Sequence, residues 1–211
     1  MSELDRRALL TGAGALALTQ GCALRASEAE WCLEDDAGGS QINDDGPFPS
    51  EGDCQVTASQ IEGPFYSANS QSAADIVEHD DAVIVTLSGR VFESGCAAAL
   101  VGALVEIWHT DPDGEYDSVG TTYRTGLTTD ADGNWSLRTV RPGAYLNGTA
   151  YRPAHYHVKV WVDGVERLTT QLYLEGDEYL ACDPFANTSL VCPWTGSEED
   201  GIHVEMDFVL A

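Results

Sequence analysis

From Val83 to Leu210 apolar residues recur at every second position between turn signals. A chain so patterned must bury one face of a series of short β-strands. Val83, Val85, Leu87 and Val91 alternate with more polar residues, and Ala103, Val105 and Ile107 form the next alternation. Trp135, Leu137 and Thr139 share one face of a third strand, while Gln171 to Leu174 and Val204 to Leu210 form two more. Asp111-Pro112-Asp113-Gly114 and Asp130-Ala131-Asp132-Gly133 are turns, Asp163-Gly164 is a hairpin signal, and Arg141-Pro142-Gly143 breaks the strand before it. Short strands at this spacing, with almost no helical period, predict an all-β fold, an antiparallel β-sandwich.

The first 60 residues do not share this pattern. Met1 to Arg25 carries the pair Arg6-Arg7 and then a short apolar stretch, Ala8 to Leu18, broken at Gln20. That is the form of an export signal of the twin-arginine kind, too short to span a bilayer. Cys22, preceded by Gly21, resembles a lipoprotein attachment site, and a lipid anchor there is the one membrane tie left open. The expected organisation is an export signal over 1–26, an acidic linker or arm over 27–60 and a β-sandwich catalytic domain over 61–211. The expected location is periplasmic or cell-envelope.

Charge excludes some partners. Ten Lys and Arg stand against 35 Asp and Glu, a formal charge of −25, and no basic residue occurs between Arg25 and Arg90. Nucleic acid and anionic lipid would meet like charge. Lys159 is the only lysine, which argues against lysine-based covalent catalysis. The six cysteines, Cys22, Cys32, Cys54, Cys96, Cys182 and Cys192, match no zinc spacing, so in an exported protein they read as disulfide partners. Cys182 and Cys192 bracket one loop and are a candidate pair; the other connectivities stay open, as does the oligomeric state.

His155-Tyr156-His157 is the sharpest local feature. Period two puts both imidazoles on one strand face, within reach of one metal ion. Such a pair alone is common in strands as exposed or hydrogen-bonded residues. Here Tyr145 and Tyr151 lie upstream, Arg152 adjoins the pair, and Tyr116 follows a tight turn. Two imidazoles with two phenolates would make a hard, anionic site. An unperturbed phenol has a pKa of about 10, so a strongly Lewis-acidic ion such as ferric iron is needed to deprotonate two of them. On residue type alone Tyr116 and Tyr145 would be packing aromatics. Two other readings stand beside this one: a non-catalytic β-sandwich binding module, and a metal hydrolase taking Asp113 or Asp117 as third ligand. His79 and His203 read as exposed and His109 as a strand-end polar residue, with the pocket mouth as its alternative. Arg124, Arg138 and Arg141 read as partners of the surplus carboxylates.

From Glu62 to Leu210 the chain resembles the intradiol ring-cleavage dioxygenases. The resemblance is carried by Glu62-Gly63-Pro64-Phe65-Tyr66, Leu87-Ser88-Gly89-Arg90-Val91 and Gly102-Ala103-Leu104-Val105-Glu106-Ile107-Trp108. Asp113-Gly114-Glu115-Tyr116, Asp132-Gly133, Arg138 to Tyr145, Arg152-Pro153-Ala154-His155-Tyr156-His157 and Thr170-Gln171-Leu172-Tyr173 complete it. The run Arg152–His157, with Pro-Gly-x-Tyr before it, is the most specific piece. The resemblance implies a non-haem Fe(3+) ion held by Tyr116, Tyr145, His155 and His157, with Tyr151 as the competitor for the second tyrosine position. It implies cleavage of a catechol between its hydroxyl-bearing carbons, with both atoms of O2 entering a muconate-type diacid. Tyr145 would act as a base, Arg152 would stabilise carbanion-like charge on the ring, and Gln171 would help place the substrate. The 145–152 segment looks shorter than in protocatechuate-type members, and Leu146 and Asn147 stand where those tend to carry an aromatic. What precedes Glu62 is short and acidic, where the catechol-type branch has a helical dimerisation region. The implied kinship is a secreted branch close to the protocatechuate-type catalytic chain.

Overall fold

The computed structural model describes residues 54–68, 70–79 and 81–211. The export signal, Cys22 and residues 27–53 of the acidic segment lie outside the described residues. The strands, in chain order, are β1 (Ile84–Phe92), β2 (Leu104–Trp108), β3 (Arg124–Thr128), β4 (Asn134–Val140), β5 (Tyr145–Asn147) and β6 (Ala150–Arg152). Then come β7 (His155–Val162), β8 (Val165–Leu174), β9 (Val191–Cys192), β10 (Trp194–Ser197), β11 (Gly201–Glu205) and β12 (Phe208–Val209). They form two five-stranded sheets. In the first, β1 is central, flanked by β4 on one side and by β11 and β12 on the other, with β10 outside β11. The second runs β3-β2-β7-β8-β9, and β5 and β6 make a separate two-stranded ribbon.

The expectation of a purely antiparallel sandwich is corrected at three pairings: β1 with β11, β1 with β12, and β8 with β9 are parallel. Parallel neighbours need a long connection rather than a tight hairpin. The excursion after β8 supplies one to β9, and the long path back from β1 supplies the others. The antiparallel pairs follow the sequence signals closely. β7 and β8 turn through Asp163 (φ 51°) and Gly164 (φ 76°), both left-handed as the two-residue hairpin requires.

Val85, Leu87, Val105, Ile107, Leu137, Tyr156, Val158, Leu172, Ile202 and Phe208 fill the space between the sheets. Each such burial is worth about 1.5–3 kcal/mol. Strand β7 is unusual in burying both faces. Tyr156, Val158 and Val160 enter the core, while His155, His157 and Lys159 on the opposite face are only 1–2% exposed. Residues 60–66 cover that outer face. Gln60 N–H donates to Thr169 O (2.8 Å), Gln171 Nε2 to Ile61 O (2.8 Å) and Tyr66 OH to Glu106 Oε2 (2.9 Å). Lys159 Nζ lies 2.8 Å from Glu62 and 2.7 Å from Glu166, so its charge is paired where it is buried. The described end of the acidic segment, residues 54–60, is thus docked along the sheet, and a Cys54–Cys96 disulfide fastens it.

Cys182 and Cys192 do not pair. Cys182 is disulfide-bonded, whereas Cys192 is a buried free thiol whose pKa burial pushes up to about 12. Its side chain belongs to the hydrophobic core on β9 and does not reach back across the loop. The exposed arginines behave as expected: Arg138 pairs with Asp75 and Arg141 with Glu198. Arg124 does not; it is buried and donates to the Asp117 backbone carbonyl.

His109 is fully buried and lies at no pocket mouth. Its Nδ1 is 2.6 Å from Thr110 O and its Nε2 2.8 Å from Thr139 Oγ1. Desolvation lowers its pKa to about 4, against the opposing pull of the Thr110 carbonyl and Asp111. The unfolded chain takes up a proton near pH 6.5 and the folded chain does not. The stability from this group is therefore complete above pH 6.5 and falls as pH drops towards 4, by up to roughly 3 kcal/mol. Urea unfolding at pH 7 and pH 4 should show that extra loss in the wild type and not in His109→Gln. Equal losses would refute the assignment.

Candidate active site

Residues opposite one another in adjacent strands point to the same sheet face. His157 lies opposite Trp108 of β2 and Gln171 of β8, and His155 lies opposite Tyr173. The outer face of the second sheet therefore carries a row Trp108–His157–Gln171 beside a row His155–Tyr173. Trp108 stacks on the His157 ring at 4.9 Å and 8°. Gly63 of the covering segment (φ +74°) crosses so closely that a Cβ there would lie 3.3 Å from His157 Cε1.

The two tyrosines come from segments that touch through their backbones. Asp111 Oδ1 accepts from the N–H groups of Asp113 and Glu115, shaping the turn that delivers Tyr116. Gly143 packs on that turn, with its N–H donating to Asp111 O, and a side chain there would overlap Gly114 N and Pro112 O. Tyr145 follows two residues later, opposite Arg152 in the β5–β6 ribbon. Because sides alternate along a strand, Arg152 facing inward turns Tyr151 outward, where it is 44% exposed and stacked on Tyr179. Tyr145, not Tyr151, adjoins Tyr116 (ring centroids 5.6 Å) and His155 (5.7 Å).

The polar tips converge. His155 Nε2 and His157 Nε2 are 3.2 Å apart, and Tyr116 OH is 3.0 Å from His157 Nε2 and 3.5 Å from His155 Nε2. Donors about 2.1 Å from one ion and 90–110° apart are roughly 3.0–3.4 Å from each other, so this spacing suits a shared cation. The protonation states suit it too. His155 Nδ1 lies 2.7 Å from Pro153 O, which can only accept, so Nδ1 carries the proton and Nε2 presents its lone pair inward. Burial, then the Arg152 charge, lowers the His155 pKa to about 3. His157 is held well below its usual value by burial, then His155 and Arg152. Burial and the Tyr145 neighbour raise the Tyr116 pKa. Neutral imidazoles beside a Tyr116 phenol that resists ionisation make a donor set that would suit a hard, strongly Lewis-acidic ion. Among the described residues no group of three or more His, Cys, Asp and Glu side chains could hold a metal. Asp117, a candidate third ligand of a hydrolase, spends its carboxylate on the N–H groups of Val119, Gly120 and Thr122.

Arg152 is buried beside this cluster. Its Nη1 is 3.3 Å from His155 Nε2, and its Nη2 donates to Gln171 Oε1 (2.8 Å), Tyr173 OH (3.2 Å) and Asp183 Oδ2 (2.9 Å). Burial disfavours its charge, but Asp183 outweighs that and raises its pKa. Phe65 stacks on Tyr116 at 4.2 Å and 14°. The sequence reading quoted Phe65 and Tyr173 only inside longer motifs and missed Asp183, one acid among 35 with no spacing to mark it. An open groove of about 840 Å³ between residues 55–58 and β10–β11 shares no residue with the cluster.

A dioxygenase family profile matches residues 61–211. A chlorocatechol 1,2-dioxygenase of Pseudomonas putida is 32% identical over 181 residues, 74% of this chain and 68% of the relative. Catechol 1,2-dioxygenase 2 of Acinetobacter lwoffii is 34% identical over 62% of this chain and 55% of its own length. Among solved structures, the dioxygenase domain of a dioxygenase–carbohydrate-binding fusion from Streptomyces sp. SirexAA-E superposes with a TM-score of 0.68 at 34% identity. That match covers 74% of this chain and 98% of that one. The profile match and the β-sandwich shared with that structure define a dioxygenase. The chain belongs to the intradiol dioxygenase family. The relatives named here are catechol and chlorocatechol 1,2-dioxygenases.

Proposed function

We propose that this chain is a non-haem Fe(3+) intradiol dioxygenase that takes an uncharged catechol. It would open the ring between the two hydroxyl-bearing carbons with both atoms of O2 and release a muconate-type diacid. The convergence of His155 Nε2, His157 Nε2 and Tyr116 OH within 3.0–3.5 Å of one another carries the reading. Tyr116, Tyr145, His155 and His157 would hold the ion, which when bound supplies a Lewis acid that ionises phenols and shifts electron density in a chelated catecholate. The assignment of the substrate class rests on the named relatives, which act on catechol and chlorocatechol.

The chain's own groups divide the remaining work. Tyr145, half-buried beside Tyr116 and His155, would take a proton from an incoming catechol hydroxyl at its phenolic oxygen. Arg152 offers a fixed cation in a site from which water is largely excluded, where developing negative charge on the ring is stabilised most. Gln171 is locked by Ile61 O on one side and Arg152 on the other, so its amide is a rigid wall for the substrate. Phe65 and Trp108 hold Tyr116 and His157 by stacking. Arg6-Arg7 and the apolar stretch after them support export, with Cys22 as the point for any lipid anchor.

Iron-replete protein should consume O2 equimolar with catechol or 4-chlorocatechol and form the corresponding muconate, with protocatechuate a much poorer substrate. Iron-replete protein that binds catechol without taking up O2 would overturn the proposal and favour a binding module.

A further inference from the structure

Arg152 is gripped by a loop that the proposed chemistry does not otherwise use. The segment between β8 and β9 folds back so that Asp183 Oδ2 accepts from both Nη2 (2.9 Å) and Nε (3.2 Å) of Arg152. The Phe185 ring lies under the guanidinium at 5.1 Å. Asp183 is itself fixed: its Oδ1 accepts from Phe185 N–H (3.1 Å), and Cys182, the residue before it, is disulfide-bonded. Asp183 and Arg152 side chains are 0% and 4% exposed. With Gln171 and Tyr173 also on Nη2, the Nε–Nη2 edge is fully engaged. Nη1 is left facing the cluster, with His155 Nε2 as its neighbour.

We propose that Asp183 is a positioning residue for ring cleavage, holding the outer edge of Arg152 so that Nη1 stays aimed at the reacting ring. The inference rests on the role given to Arg152 above. An arginine side chain has many rotamers, and a carboxylate along one edge of its planar fork selects one of them. The same carboxylate balances a cation that would otherwise lie unpaired and buried.

The test is a cycle of Arg152→Gln, Asp183→Asn and the double variant, each loaded with iron and assayed per bound iron with catechol. Asp183→Asn should lower kcat by roughly 10–100-fold, as displacement of a catalytic group by about an ångström does, while KM and the substrate-free visible spectrum hardly move. The double variant should be no slower than Arg152→Gln, because Asp183 acts through that side chain. Asp183→Glu, which keeps the charge but shifts the fork, should fall between wild type and Asp183→Asn and serves if the Asn variant folds poorly. If Arg152→Gln is slow and both Asp183 variants keep wild-type kcat, or if the double loss is additive, the positioning role is wrong. If Arg152→Gln is itself as fast as wild type, the reading of Arg152 fails first.

Discussion

Replacing His157 with alanine should leave a folded, colourless protein that binds no iron and turns over catechol at least ~10³-fold more slowly than wild type. The size of the effect follows from its place. His157 contributes the ring nitrogen nearest to both His155 Nε2 and Tyr116 OH, and removing one of the four proposed ligands would remove the chemistry, not merely an increment of affinity. The fold should survive, because the core packs on the other face of β7 through Tyr156, Val158 and Val160. Inductively coupled plasma analysis and circular dichroism on the same sample separate the two. A fully iron-loaded, active His157→Ala protein would remove the residue from the site.

The second large effect is expected far from any ligand atom. A methyl group on Gly143 would overlap the backbone of Gly114 and Pro112, and neither segment can yield, since each is tied by backbone hydrogen bonds to Asp111. Gly143→Ala should therefore push the Tyr116 turn away from the Tyr145 strand. We expect a loss of about 2–3 kcal/mol in stability and about 10²-fold in kcat through misplacement of the two phenols. Gly148 is the control: its backbone is left-handed (φ +65°), but nothing lies within 4 Å of an added Cβ. Gly148→Ala should cost only about 1–2 kcal/mol and little activity. Comparable kcat losses in the two variants would mean that the Gly143 contact does not set the tyrosine spacing.

Much of this arrangement was legible from spacing. Strand β7 was evident because His155, His157 and Lys159 alternate with Tyr156, Val158 and Val160, and the Asp-Gly turn after it marks a hairpin. The preference for Tyr145 over Tyr151 came from the resemblance, through the Pro-Gly-Ala frame before Tyr145, and only the folded β5–β6 ribbon turns Tyr151 outward. Other features left no mark. Strand β3, Arg-Thr-Gly-Leu-Thr, has one large apolar residue and exists because Gln71 and β2 pair with it from either side. The parallel pairings of β11 and β12 depend on where a long excursion returns, which no local pattern encodes. Cys182 and Cys192 are near in sequence, yet the second is drawn into the core. Asp183 sits 31 residues from Arg152, and only the folded loop brings them together.

The central claim, a four-ligand ferric site built from Tyr116, Tyr145, His155 and His157, is tested most directly by the visible spectrum of purified protein with its metal content, before and after anaerobic addition of catechol. The account predicts stoichiometric iron, a phenolate-to-iron charge-transfer band and a shift of that band on addition of catechol. Colourless protein that stays iron-free after reconstitution, or that takes up zinc in preference, would contradict it.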